Sequence, residues 1–89
     1  MSFDSKLSPK LRKAVMKSAG ETIVRSLVEL VPGADLDALA RALTSLGAEI
    51  RARSEQGHTV TIDIPVSRLP ELNSLDGIMY VEADERYRQ

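Results

Sequence analysis

Apolar and polar residues alternate strictly over two runs near the middle of the chain. Ala48, Ile50 and Ala52 alternate with Glu49, Arg51 and Arg53. Beyond a polar gap, Val60, Ile62 and Ile64 alternate with Thr59, Thr61 and Asp63. A period of two places each apolar set on one face of a strand. Glu55-Gln56-Gly57 supplies a turn between the runs, with Gly57 the residue expected at positive φ. Pro65 lacks an N–H and ends the second run. The pattern predicts a β-hairpin with one dry face and one wet face, and the rest of the chain must cover the dry one.

Upstream, Ser8-Pro9 marks a helix start, Ser8 as N-cap and Pro9 at the first helical position. Leu11, Ala14 and Val15 make a narrow apolar stripe, and Gly20 is placed to end the helix. Residues 1–7 ahead of it read as frayed. Thr22 to Val31 predicts a strand, with Val24, Ser26, Val28 and Leu30 on one face and Arg25, Leu27 and Glu29 on the other. Pro32-Gly33 breaks it. Ala34 or Asp35 then opens a helix in which Leu36, Leu39, Ala40 and Leu43 recur at helical spacing and Gly47 occupies a C-terminal position. After the hairpin, a short helix beginning between Ser67 and Leu69 buries Leu69, Leu72 and Leu75, with Pro70 tolerated only in its first turn. Asp76-Gly77 is a turn, and Ile78 to Ala83 is the last strand.

After the first helix the order is β-α-β-β-α-β, which predicts an α+β, ferredoxin-like split-βαβ fold. Right-handed crossovers give a four-stranded antiparallel sheet with both helices on one face and the first and third strands central. The chain divides into a helical extension over residues 1–20, a compact domain over 21–84 and an extended tail over 85–89. With 43% apolar and 28% charged residues, 89 positions support one small core, and three aromatics make that core aliphatic.

Charge is unevenly spread. Residues 1–20 carry five cations against Asp4, a net of +4, while residues 21–89 carry seven arginines against twelve acids, a net of −5. The basic end reads as a solvated helix face, or as a contact for an acidic partner. The absence of cysteine excludes disulfides, thiolate metal sites and thiol catalysis. No apolar run reaches the roughly 18 residues of a membrane span, and no signal-peptide pattern opens the sequence, so a cytoplasmic location is expected. The single histidine, His58, lies beside the hairpin turn with no catalytic motif around it. No metal-binding or phosphate-binding motif is present, and no cofactor is expected. The acids fall at caps, turns and the tail, so an enzyme is not expected.

The wet face of the predicted sheet has no covering element unless the first helix folds across it. It presents Leu27, Arg25, Glu29, Thr59, Thr61 and Asp63, with Glu49, Arg51 and Arg53 from the second strand. The last strand contributes either Met79 or the pair Ile78 and Tyr80. This mixed surface with a central apolar spot reads as a plain exposed sheet or as a docking face for protein. RNA-binding sheets of this topology stack bases on aromatics of the central strands. Neither central strand carries one here, so no nucleic-acid partner is expected.

Three stretches resemble a known family. They are Val60-Thr61-Ile62-Asp63-Ile64-Pro65, the leucines at 69, 72 and 75, and Gly77-Ile78-Met79-Tyr80-Val81-Glu82-Ala83-Asp84. With Leu7 to Arg12 and Val24 to Leu30 upstream, they are similar to propeptides of subtilisin-like serine proteases, whose last strand carries a GV-x-YVE-x-D pattern. The resemblance implies a non-enzymatic module that inhibits its protease and assists its folding. The open sheet face would pack on two surface helices of the catalytic domain. The C-terminal tail would lie in the substrate cleft as an added strand. It implies Leu27, Thr59, Thr61 and Met79 on the docking face, and Glu85, Arg86, Tyr87, Arg88 and Gln89 in the cleft. At ~3.3 Å per extended residue that tail is of about the length needed to enter a cleft. The protease partner would act in cis, as part of a longer protein, or in trans. The alternative expectation is a structural domain that self-associates, as a homo-oligomer, through the open face or an edge strand.

Overall fold

A computed structural model describes residues 6–17, 22–54 and 56–84. The elements run α1 (Pro9–Lys17), β1 (Ile23–Leu30), α2 (Leu36–Ser45), β2 (Glu49–Ser54), β3 (Thr59–Pro65), the 3₁₀ helix η1 (Val66–Ser74) and β4 (Ile78–Ala83). The four strands form one antiparallel sheet in the order β2-β3-β1-β4, so β1 and β3 are central as the crossover rule requires. This is the ferredoxin-like α+β arrangement, with helices on one side and the other side bare of any described element.

Local chemistry accounts for the boundaries. Ser8 Oγ accepts from Leu11 N at 3.3 Å and caps α1. Val31-Pro32-Gly33-Ala34 is a tight turn closed by Ala34 N donating to Val31 O at 3.0 Å, with Gly33 at φ 86 supplying the left-handed position. Asp35 Oδ1 accepts from Ala38 N at 3.1 Å and caps α2. At its other end Gly47 takes φ 90. Gly47 N donates to Thr44 O and Ala48 N to Leu43 O, a paired closure that satisfies two terminal carbonyls.

The covered face holds Val28, Leu30, Val60, Ile62, Ile64, Ile78 and Val81 against Leu39, Leu43, Leu69 and Leu72, all buried. Val24 and Leu36 pack at the margin. The second crossover departs from a short α-helix. It begins at Val66, Pro65 precedes it without a side-chain cap, and Pro70 sits inside it. Its buried residues, Val66, Leu69 and Leu72, are spaced by three, which matches three residues per turn and leaves Ser67 exposed rather than capping.

The N-terminal segment is not frayed where it is described. Leu7 is 4% exposed and bridges Val81 in parallel; Ser8 N donates to Val81 O at 2.8 Å and Val81 N to Lys6 O at 2.7 Å. Lys6 is held further, its N by Asn73 Oδ1 and its Nζ by Leu75 O. Burial of Leu7 and Leu11 in the same core as Leu69 and Leu72 supplies the driving force, and puts α1 on the helix side of the sheet. The bare face is therefore not roofed by α1. Gly20, the expected end of α1, lies outside the described residues.

The hairpin corrects two expectations. Positive φ falls on His58, at 55, and not on Gly57, because the β2–β3 turn extends through Gly57 and His58 before Thr59 begins β3. The alternation in β2 also breaks: Ile50 pairs with Ile62, but Ala52 pairs with Thr61, so Arg51 is an extra, bulged residue. A one-residue insertion exchanges the faces of everything past it. Ala52 is exposed on the bare face. Arg53, expected there, stands opposite buried Val60 and reaches Asp37 of α2 at 3.5 Å.

Candidate functional site

The strand register resolves the bare face into three rows across β2, β3, β1 and β4, because directly opposed residues project to one side. The first row is Glu49 and Arg51, Asp63, then Arg25. The second is Ala52, Thr61, Leu27 and Glu82; the third is Ser54, Thr59, Glu29 and Tyr80.

The first row is a fixed charge network. Arg25 donates two hydrogen bonds to Asp63, at 2.7 and 2.9 Å, the forked geometry that guanidinium and carboxylate favour. Arg51 lies 3.6 Å from Asp63 and 3.1 Å from Glu49. The Arg25 hydrogen bond holds the Asp63 carboxyl below its ordinary pKa; partial burial opposes this, and the positive charges of Arg25 and Arg51 add to the lowering. The second row carries a single charge, Glu82, beside small Ala52, Thr61 and half-buried Leu27. In the third row, Glu29 faces Tyr80.

Of the residues expected at a docking site, Leu27 and Thr61 are cross-strand partners and Thr59 stands one row away, beside Glu29. Met79 sits where β4 bulges: Leu30 pairs with Ile78 and Glu29 with Tyr80, so Met79 is the extra residue and is 53% exposed. Ile78 is buried and Tyr80 belongs to the bare face. Residues 85–89, the expected cleft-binding tail, lie outside the described residues. Glu82 and Ala52 enter the face through the register alone; the alternation of β4 pointed to Glu82 only once the bulge at Met79 was known.

Both sheet edges differ from the face. The outer edge of β4 is occupied at Val81 by Lys6–Ser8. The outer edge of β2 is bulged at Arg51 and charged, features that resist strand addition. His58 is exposed and borders an open depression of about 260 Å³ with Leu30, Val31, Gly33, Ala34, Leu36 and Ser54, a set without an acid or base to pair with the imidazole. Among the described residues no group of His, Cys, Asp or Glu is arranged to hold a metal ion, and no described helix is long and apolar enough to cross a membrane.

The fold is thus an aliphatic α+β sandwich whose sheet leaves one half-polar face bare of any described element. Residues 6–84 match the family described as "Putative peptidase inhibitor domain", and the chain belongs to that family. No curated protein matches the chain. A peptidase inhibitor domain implies a peptidase as its partner in general.

Proposed function

We propose that the chain inhibits, and assists the folding of, a subtilisin-like serine protease. The bare sheet face sits on the protease surface and residues 85–89 run into its substrate cleft. The observation that carries the reading is the middle row Ala52-Thr61-Leu27-Glu82, in which half-buried Leu27 is an apolar spot with polar residues around it. β4 ends at Ala83, and Asp84 N still donates to Arg25 O at 3.1 Å, so the last described residue lies at the border of this face. An extended segment there adds backbone hydrogen bonds to a cleft and places alternate side chains in its subsites. The same surface serves whether the protease is joined to this chain or separate from it.

The test compares the full chain with one ending at Asp84 and with Leu27→Asp, as inhibitors of a subtilisin-like protease. Slow, tight inhibition is expected of the full chain. Each change is expected to weaken it about tenfold or more, roughly 1.4 kcal/mol per decade. Equal inhibition by the truncated chain would remove the tail from the mechanism, and equal inhibition by Leu27→Asp would remove the face.

A further inference from the structure

Apart from single unpaired residues such as Arg41 on α2, two surfaces group charge that no ion pair among the described residues neutralises, and they are opposite in sign. On α1, Arg12, Lys13 and Lys17 make no ion pair among the described residues. By contrast, Arg25, Arg51, Arg53 and Arg68 each have an acid at 2.7–3.5 Å. At about 100° per residue, with Leu11 and Val15 facing the core, Lys13 points directly away from it, Lys17 and Met16 lie about 40° and 60° to either side of Lys13, and Arg12 stands at the flank beyond Met16. Met16 is 84% exposed, the most exposed large apolar side chain described. On the sheet face, Glu29 and Glu82 pair with no cation among the described residues. They bracket Leu27: Glu82 is its cross-strand partner and Glu29 lies two positions along the same strand.

We propose that α1 of one copy docks on the bare sheet face of a second copy, Met16 against Leu27, with Arg12, Lys13 and Lys17 meeting Glu29 and Glu82. The charges are complementary, and each surface has an apolar centre within its charged ring. The dimensions agree. A nine-residue helix is about 13 Å long, and four strands span about 14 Å between their outer axes. Because α1 lies on the helix side of its own sheet, it cannot reach its own bare face. The contact is therefore head-to-tail and propagates from copy to copy. The association itself stands apart from the inhibitory reading. Its regulatory consequence rests on that reading: a copy engaged in this way has its peptidase-docking face covered.

Sedimentation velocity of the full chain tests the proposal. In about 0.01 M salt the weight-average mass rises with concentration. In about 1 M salt, where the screening length falls from about 30 Å to about 3 Å, it returns to that of the monomer. Lys13→Glu/Lys17→Glu and Glu29→Lys/Glu82→Lys, each checked for fold by circular dichroism, are each monomeric alone. Mixed in equal amounts, they associate, because the acidic face of the first now meets the basic α1 of the second. A wild-type chain that stays monomeric at millimolar concentration and low salt overturns the proposal. So does association indifferent to salt, or a mixture that stays monomeric. Inhibition measured on the same samples separates the two readings: a strictly monomeric inhibitor removes only the self-docking, while association without inhibition supports it and removes the peptidase-docking role.

Discussion

Replacing Gly77 by alanine sets two effects of opposite sign against each other. Gly77 precedes β4 in a turn and does not take positive φ, so its backbone conformation is open to any residue. On that ground alone alanine would stabilise the fold by about 0.4–1 kcal/mol, through reduced freedom of the unfolded chain. Space decides otherwise. A Cβ at this position would lie 2.6 Å from Leu39 Cδ1, and 3.1 and 3.2 Å from its Cγ and Cδ2, where carbon atoms at rest stand about 3.5–4.0 Å apart. Leu39 is 8% exposed on the inner side of α2, and because its Cγ and both Cδ atoms are all crowded, the whole isobutyl group and not one methyl must shift. Overpacking of this kind costs about 1–3 kcal/mol, which outweighs the entropic gain and leaves a net loss of about 1–2 kcal/mol. For a domain of this size that lowers Tm by roughly 5–15 °C. Thermal and urea denaturation followed by circular dichroism would measure it. In a Leu39→Ala background, itself destabilised by about 2–5 kcal/mol, the clash is gone and the added methyl occupies part of the cavity. There Gly77→Ala is neutral or stabilising, and the cycle shows strong coupling. A rise in Tm for Gly77→Ala alone, or additivity across the cycle, would refute the packing account.

Two further substitutions probe the two central strands, Ser26 in β1 and Asp63 in β3. Ser26 is fully buried on the covered face of β1 and its hydroxyl has no hydrogen-bond partner among the described residues, so Ser26→Ala is expected to raise stability by about 1 kcal/mol in urea denaturation; a loss would mean that the hydroxyl is satisfied. Asp63, whose pKa is lowered in the fold by Arg25, binds a proton more readily in the unfolded chain. Its contribution is full above the unfolded value near 3.9 and is lost as pH falls through the lower folded value. The urea midpoint of the wild type should therefore fall more steeply below about pH 4 than that of Asp63→Asn, and identical slopes would sink the argument.

The alternation of β1 and β3 made the two central strands legible from the residues alone, since β3 keeps one face buried throughout and β1 does so from Ser26 to Leu30. The caps at Ser8 and Asp35 and the closure at Gly47 were equally readable, because each rests on one residue type doing a local job. The edge strands were not. Arg51 and Met79 are bulged residues, and a bulge is a property of the pairing of two backbones, invisible when either strand is read alone. In β2 the apolar-polar alternation runs on through Ala52 and Arg53, so the pattern misleads at the point where the register slips. The period of three in Val66, Leu69 and Leu72 was in plain sight, but Pro70 drew attention to where an α-helix could begin rather than to what kind of helix it was. The middle row of the bare face follows from the corrected register, which is why Leu27 and Thr61 were foreseen and Ala52 was not.

The clasp between Lys6–Ser8 and β4 sets the order in which the molecule can be completed. Lys6 reaches across 67 and 69 positions to Asn73 and Leu75, so a segment made early in this domain must wait for one made much later before either finds its place. Contacts that distant in sequence are slow to form, since closing the long intervening loop precedes any reward. A nascent chain halted before Val81 thus has its hairpin and α2 available but leaves Leu7 and Leu11 without their final seat. Vectorial synthesis makes the two ends of this small domain mutually dependent, and a defect at either one is felt at the other.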